Sequence, residues 1–176
     1  MNGILSGVRA RCGASPEGSE KNGQKPRKDK TMSTRAAIAM RFPDNTIHAI
    51  YCHFDGYPGW VGAVLGGWYK TAEQVKALIA LGAISQLGPK LEPDPGMPHT
   101  FNEPQKGVTI AYHRDRGDRM RRGKTYASLE EYEKDAPEAF CADYLYLFEN
   151  GGWSFRKAYG ESEWTGLEVT VGEEQN

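Results

Sequence analysis

The chain has 176 residues, 39% of them apolar and 26% charged, with 21 glycines and a formal net charge of −1. That length suits one domain with a sizeable core, and the glycine content favours short elements and many turns over long packed helices. The near-neutral total hides an asymmetry. Residues 1–31 hold seven Lys/Arg against three Asp/Glu, which leaves fifteen against twenty for Met32–Asn176; a mildly acidic body argues against a nonspecific duplex-DNA binder.

No window approaches the ~18 apolar residues of a membrane span, and Ser6-Gly7 interrupts Ile4-Leu5 too early for a signal peptide. Cys12, Cys52 and Cys141 form no CxxC pattern or disulfide framework. A reducing, cytoplasmic setting is therefore expected. Met1–Thr31 is rich in Gly, Ser, Lys and Arg and has little to bury, so it reads as a disordered basic tail. Residues 32–176 read as a single domain. The abrupt change of composition makes Met32 an expected alternative translation start; an intact mass showing only the longer form would refute it.

Arg35–Phe42 reads as a strand, Pro43–Thr46 as a turn and Ile47–His53 as a second strand. On that second strand His53 shares a face with Ala49 and Tyr51, and Cys52 takes the other. Pro58 suits the first position of a helix, where its missing N–H costs nothing, and Val61, Val64, Leu65 and Trp68 recur at helical spacing. Thr71-Ala-Glu-Gln74 is a capping box. It opens a helix with Val75, Leu78 and Ile79 inward, ending at Gly82.

Leu87–Gln105 carries five prolines and reads as a long surface excursion. Gly107–Asp115 reads as a third strand, and Ser128-Leu-Glu-Glu131 starts a short helix expected not to extend past Pro137. Tyr144–Phe148 and Trp153–Tyr159 flank Asn150-Gly151, a type I′ hairpin signal. Leu167, Val169 and Val171 alternate as a final edge strand. The expected fold is α+β: a mainly antiparallel sheet of five or six strands with two or three helices packed on one face.

Two places carry the same pattern. His53-Phe-Asp55 and His113-Arg-Asp115 each end a predicted strand, and on extended backbone the two members of each pair share a face. Side by side, the ends would gather two imidazoles and two carboxylates. That set suits a divalent metal held by His53, Asp55, His113 and Asp115, or a His–Asp general-base pair. The blander reading makes each Asp a cap and each His a hydrogen-bonded sheet-end residue, with Asp55 accepting from the first N–H groups of the Pro58 helix.

Arg114, Arg116, Arg119, Arg121, Arg122 and Lys124 make a basic loop, partly neutralised by Asp115 and Asp118, whose guanidinium forks match phosphate or carboxylate geometry. Tyr57 and Trp60 offer rings for stacking. No phosphate-binding glycine loop and no hydrolase elbow is present. Cys52 and His53 face apart, so no thiol–imidazole pair is expected.

Tyr51-Cys-His-Phe-Asp-Gly-Tyr-Pro58, preceded by Ser33-Thr-Arg-Ala-Ala-Ile38 and followed by Gly107-Val-Thr-Ile-Ala-Tyr-His-Arg-Asp115, resembles a group of small phage and prophage proteins. These open with a similar S-T-R segment and carry a C-H-(Trp/Phe)-D-G-Y-P turn. The likeness spans roughly Ser33–Tyr159. Phe54 stands where Trp is commoner, and Gly59 follows Pro58 where Glu is commoner. The resemblance implies a phage setting and no mechanism.

The expected function is a phage-type accessory protein that binds a host component without catalysis. Its partner would be a host protein of a defence system or a phosphate-bearing, nucleotide-like ligand. Ligand contacts are expected from His53, Asp55, Tyr57, Trp60, His113, Arg114, Asp115, Arg116 and Arg119, with no cofactor. The alternatives are a hydrolase of a phosphoester assisted by a divalent metal, and a purely structural module.

Overall fold

The computed structural model describes residues 33–167, all of them within the second of the two units, Met1–Thr31 and Met32–Asn176, into which the chain divides. The expected basic tail, and Val169 and Val171 of the expected last strand, lie outside the described residues.

Two hairpins form where the turn chemistry places them. β1 (Ala36–Arg41) and β2 (Ile47–Cys52) pair antiparallel from Arg41↔Ile47 to Ala36↔Cys52. Asn45 takes φ 66° in the turn between them, a conformation Asn tolerates. β6 (Tyr144–Glu149) and β7 (Gly152–Lys157) close on Asn150-Gly151, both at positive φ, as a type I′ turn requires.

Between the hairpins come a π-helical turn (Pro58–Gly62) running into α1 (Ala63–Trp68), then α2 (Ala72–Ala80), β3 (Ile84–Gln86), β4 (Ile110–Ala111), α3 (Tyr112–Arg116), β5 (Lys124–Tyr126) and α4 (Leu129–Ala139). β8 (Thr165–Gly166) follows β7. The capping box at Thr71 forms in full, its hydroxyl accepting from Gln74 N while the Gln74 amide oxygen accepts from Thr71 N. At Ser128 only half forms, because Glu131 turns its carboxylate to Ala127 N.

Among the described residues the sheet has eight strands in the order β4-β3-β2-β1-β6-β7-β8, with β5 also pairing β2. It is α+β and mostly antiparallel, but β1/β6 and β2/β3 are parallel. Three expectations are corrected. The strand count exceeds five or six because β3 and β5, three residues each, are too short to show a period-2 pattern.

The helices number four among the described residues, not two or three, and they cover both faces. α1 and α2 pack on Ala36, Ile38, Ile50 and Cys52, whereas Tyr132 and Ala136 of α4 pack on Ala37, Ala39, Ala49 and Leu147. This explains why β1 reads as an unbroken apolar run and not an alternation. Its alanines let α4 approach closely on one side. Lastly, α4 passes through Pro137 to Ala139, since burial of Tyr132, Ala136 and Pro137 outweighs the lost ladder bond in a final turn.

The two apolar clusters hold the layers. Ile38, Ile50, Leu65 and Leu78 are fully buried on one side, and Ile47, Leu145 and Leu147 on the other, each contributing about 1.5–3 kcal/mol of burial free energy. Tyr132 Oη, inside the second cluster, donates to a main-chain carbonyl of β1 or β6: Ala37 O lies 3.2 Å away and Tyr146 O 3.1 Å. Its position ties helix to sheet. Among the described residues no helix is long and apolar enough to cross a membrane.

Candidate functional site

The hairpin register builds a site that the sequence motifs only half indicate. Because Ala36 faces Cys52 across β1/β2, the next rung sets Arg35 opposite His53, with Tyr51 one step back on the same face. Cys52 lies on the other face, fully buried; burial pushes its thiol up to about 12, so it supplies no nucleophile.

The backbone of Arg35 is fixed from three sides. Its N–H donates to Asp143 Oδ2 at 2.8 Å, its carbonyl accepts from Asp143 N at 2.8 Å, and the neighbouring Thr34 O accepts from Gly56 N at 2.8 Å. Gly56 makes that last approach possible, because a Cβ there would lie 2.7 Å from the Arg35 carbonyl carbon.

Tyr51 Oη and His53 Nδ1 are 2.6 Å apart. Arg35 acts on both groups. Burial lowers the His53 pKa from its ordinary 6.5 and the Arg35 charge lowers it further, so the imidazole is neutral at neutral pH. Burial raises the Tyr51 phenol, opposed by Arg35. A guanidinium drawing on the phenol oxygen favours Tyr51 as donor to Nδ1, which leaves His53 Nε2–H as a donor toward solvent.

On the same face, beyond β3, Tyr112 is close enough to Ser85 for the serine hydroxyl to offset the burial that raises its phenol. Phe101 stacks on Tyr112 with centroids 5.7 Å apart, and the Arg116 guanidinium lies 4.7 Å from the Tyr112 centroid. α4 leaves this end of the sheet uncovered: Arg35, Tyr51, His53 and Tyr112 are all part-exposed, and Phe54 is 45% exposed beside the His53 ring.

The predicted convergence of the two His-x-Asp pairs does not occur. β3 separates β2 from β4, and among the described residues no three His, Cys, Asp or Glu side chains gather as a metal cage would require. His53 and Asp55 part company because Phe54 bends the chain and Asp55 takes φ 57°, ending the strand alternation. The Asp55 carboxylate accepts from Gln86 Nε2 at 3.3 Å. Its carbonyl oxygen, not the carboxylate, takes the Val61 N–H of the π turn, so the expected side-chain cap is absent.

Tyr57 and Trp60 travel with that turn. Its Val61 packs into the Cys52 cluster, which places the turn on the opposite face from His53, and Trp60 Nε1 donates to Leu87 O.

His113 and Asp115 belong to α3, not to a strand, so two residues of separation turns them roughly 200° apart. His113 Nδ1 bonds the Asp118 carbonyl at 2.7 Å. Asp115, its side chain 2% exposed, is wholly engaged. It accepts from Ala111 N at 2.7 Å and Arg114 Nε at 2.6 Å, and lies 3.2 Å from His99 Nε2. Burial pushes its carboxyl up, but Arg114, the Ala111 N–H and His99 together hold it below the usual range.

The His99 contact is within ion-pair distance, yet its angle is too poor for a hydrogen bond. Arg114 also donates to the carbonyls of Leu91 and Thr109. This cluster pins the proline-rich excursion to α3 and leaves little to offer a ligand. Arg116 is paired with Asp118. Arg119 is exposed and, among the described residues, without a carboxylate.

Arg35, Tyr51 and Tyr112 are the residues that motif reasoning passes over. The signal for the first two lies in the register, since a turn centred on Asp44 puts Arg35 and His53 on one rung. Nothing local marks Tyr112, which reaches the site only through β3. Comparison with protein-family models, with curated proteins and with solved structures yields no match, so the reading rests on the residues themselves.

Proposed function

We propose that this protein is a binding protein of phage type, acting on a host component without catalysis, and that it holds an anionic group at Arg35, Tyr51 and His53. One observation carries the reading. Arg41, Arg114, Arg116 and Arg156 each have a carboxylate partner, whereas Arg35, part-buried and anchored through its backbone, has none among the described residues. A part-buried arginine beside a phenol and a neutral imidazole suits phosphate or carboxylate from outside.

The phage setting comes from the sequence resemblance. Within it, capture of a nucleotide-like signal or of a defence protein is the task such a site suits. The test is a pull-down from host lysate with mass analysis of both protein and small-molecule fractions, repeated with Arg35→Gln. The bound component is expected to be lost by tenfold or more, the loss of one charge-assisted bond of about 1.5–3 kcal/mol. Unchanged capture by a folded Arg35→Gln variant overturns the proposal.

A further inference from the structure

One cation serves the Arg35 face. Among the described residues, Arg35 is the charged group that bears on both His53 and Tyr51. The Arg116 guanidinium, over the Tyr112 ring, is already neutralised by Asp118. The Asp143 carboxylate accepts the Arg35 N–H at 2.8 Å, which sets a negative charge within one side chain of that cation. Met32–Asn176 as a whole holds fifteen Lys/Arg against twenty Asp/Glu, and such a field disfavours polyanions. The donors are as few as the charges. The Arg35 fork offers two parallel N–H groups and His53 Nε2–H a third, while the Tyr51 hydroxyl, 2.6 Å from His53 Nδ1, is spent on the imidazole. Beside them Phe54 is 45% exposed, its ring edge-on to the His53 ring at 4.3 Å.

We infer that this face is a docking surface for a partner protein, and that it takes an aspartate or glutamate side chain of that partner onto Arg35 and His53, with apolar contact on Phe54. The inference rests on the anion-binding reading and adds the ligand class and its carrier. One fork, one further N–H and one positive charge match the two oxygens and single charge of a carboxylate. A phosphate monoester brings three terminal oxygens and about −1.5 to −2 charges at neutral pH, more than one guanidinium with Asp143 beside it balances. A free carboxylate would be held by those three donors alone. A protein surface adds contact with the exposed ring, and arginine beside aromatic side chains is the composition of interface centres.

The experiment titrates the full chain, at one ionic strength and about pH 7.5, where a phosphate monoester is mostly dianionic. The probes are a short peptide with one glutamate beside a leucine, the same peptide with glutamine or phosphoserine in place of the glutamate, and a 5′-mononucleotide. Arg35→Gln, Phe54→Ala and Asp143→Asn are compared with the parent, and melting curves confirm folding. The inference predicts that the glutamate peptide binds at least tenfold tighter than the glutamine peptide, and tighter than the phosphoserine peptide and the mononucleotide. Arg35→Gln then loses about tenfold toward the glutamate peptide, and Phe54→Ala several-fold. Asp143→Asn keeps an acceptor on the Arg35 N–H and removes the charge, so it strengthens the phosphoserine peptide more than the glutamate peptide. A phosphoserine peptide or mononucleotide that binds the parent tighter than the glutamate peptide, with the Arg35→Gln loss intact, overturns the carboxylate assignment and leaves the anion site standing. A folded Arg35→Gln variant that binds every probe like the parent overturns both, as does a parent that distinguishes none of the probes.

Discussion

His53-Phe-Asp55 and His113-Arg-Asp115 have the same spacing of the same residues, and the fold uses them in opposite ways. The first ends β2, where the chain bends away, and its imidazole stays on a sheet face beside a guanidinium with no carboxylate partner among the described residues. The second lies in α3, where Asp115 is consumed by Arg114, the Ala111 N–H and His99. The difference shows that a His-x-Asp pattern has no chemistry of its own. Backbone conformation decides whether the two side chains meet, and the charge of the nearest arginine decides whether anything remains for a ligand.

The sharpest way to break this contrast is to remove the carboxylate of the second pair. Asp115→Ala leaves Arg114 only its looser Glu92 contact and takes from the buried His99 its neighbouring carboxylate, and a loss of about 2 kcal/mol is expected. Urea unfolding measures it, and limited proteolysis should show earlier cleavage within 87–105 as the excursion comes unpinned. A stability within about 0.5 kcal/mol of the parent would mean that the cluster is not structural.

At the first pair the corresponding weak point is backbone. Gly56→Ala places a methyl 2.7 Å from the Arg35 carbonyl carbon, with no flexible side chain to yield. A cost of about 2 kcal/mol is expected, together with weakened anion binding as Arg35 shifts. A variant of parental stability and affinity would show that the approach has slack.

The smallest effect concerns pH. His53 has a folded pKa below 6.5, so between that value and 6.5 the unfolded chain binds more protons and stability falls as pH falls. Denaturation midpoints at about pH 7 and pH 5 should differ less in His53→Gln than in the parent, the remaining dependence belonging to the other titrating groups. Equal differences would place His53 in a fully solvated setting.

Much of the fold was legible because turn chemistry and capping are local. Asn150-Gly151 fixed one hairpin, Pro43–Thr46 the other, and Thr71 with Gln74 the start of α2. What stayed hidden depends on contacts distant in sequence. β3 and β5 are strands only because each finds an edge of β2, and Tyr112–Arg116 follows a strand-like alternation yet coils once Gly117 at φ 76° ends the turn. The site divides in the same way. His53 was readable from its motif, whereas Arg35 needed the register of the hairpin.

β1 lies mid-sheet, hydrogen-bonded to β2 on one side and to β6 on the other. The second partner arrives late, Asp143 lying 108 positions after Arg35. A chain emerging from the ribosome therefore carries, through most of its synthesis, an apolar strand with one open edge, ready to zip onto any stray backbone. The demand for a protected nascent chain is thus written into the strand order, and versions cut before Tyr144 should need a chaperone or fall out of solution.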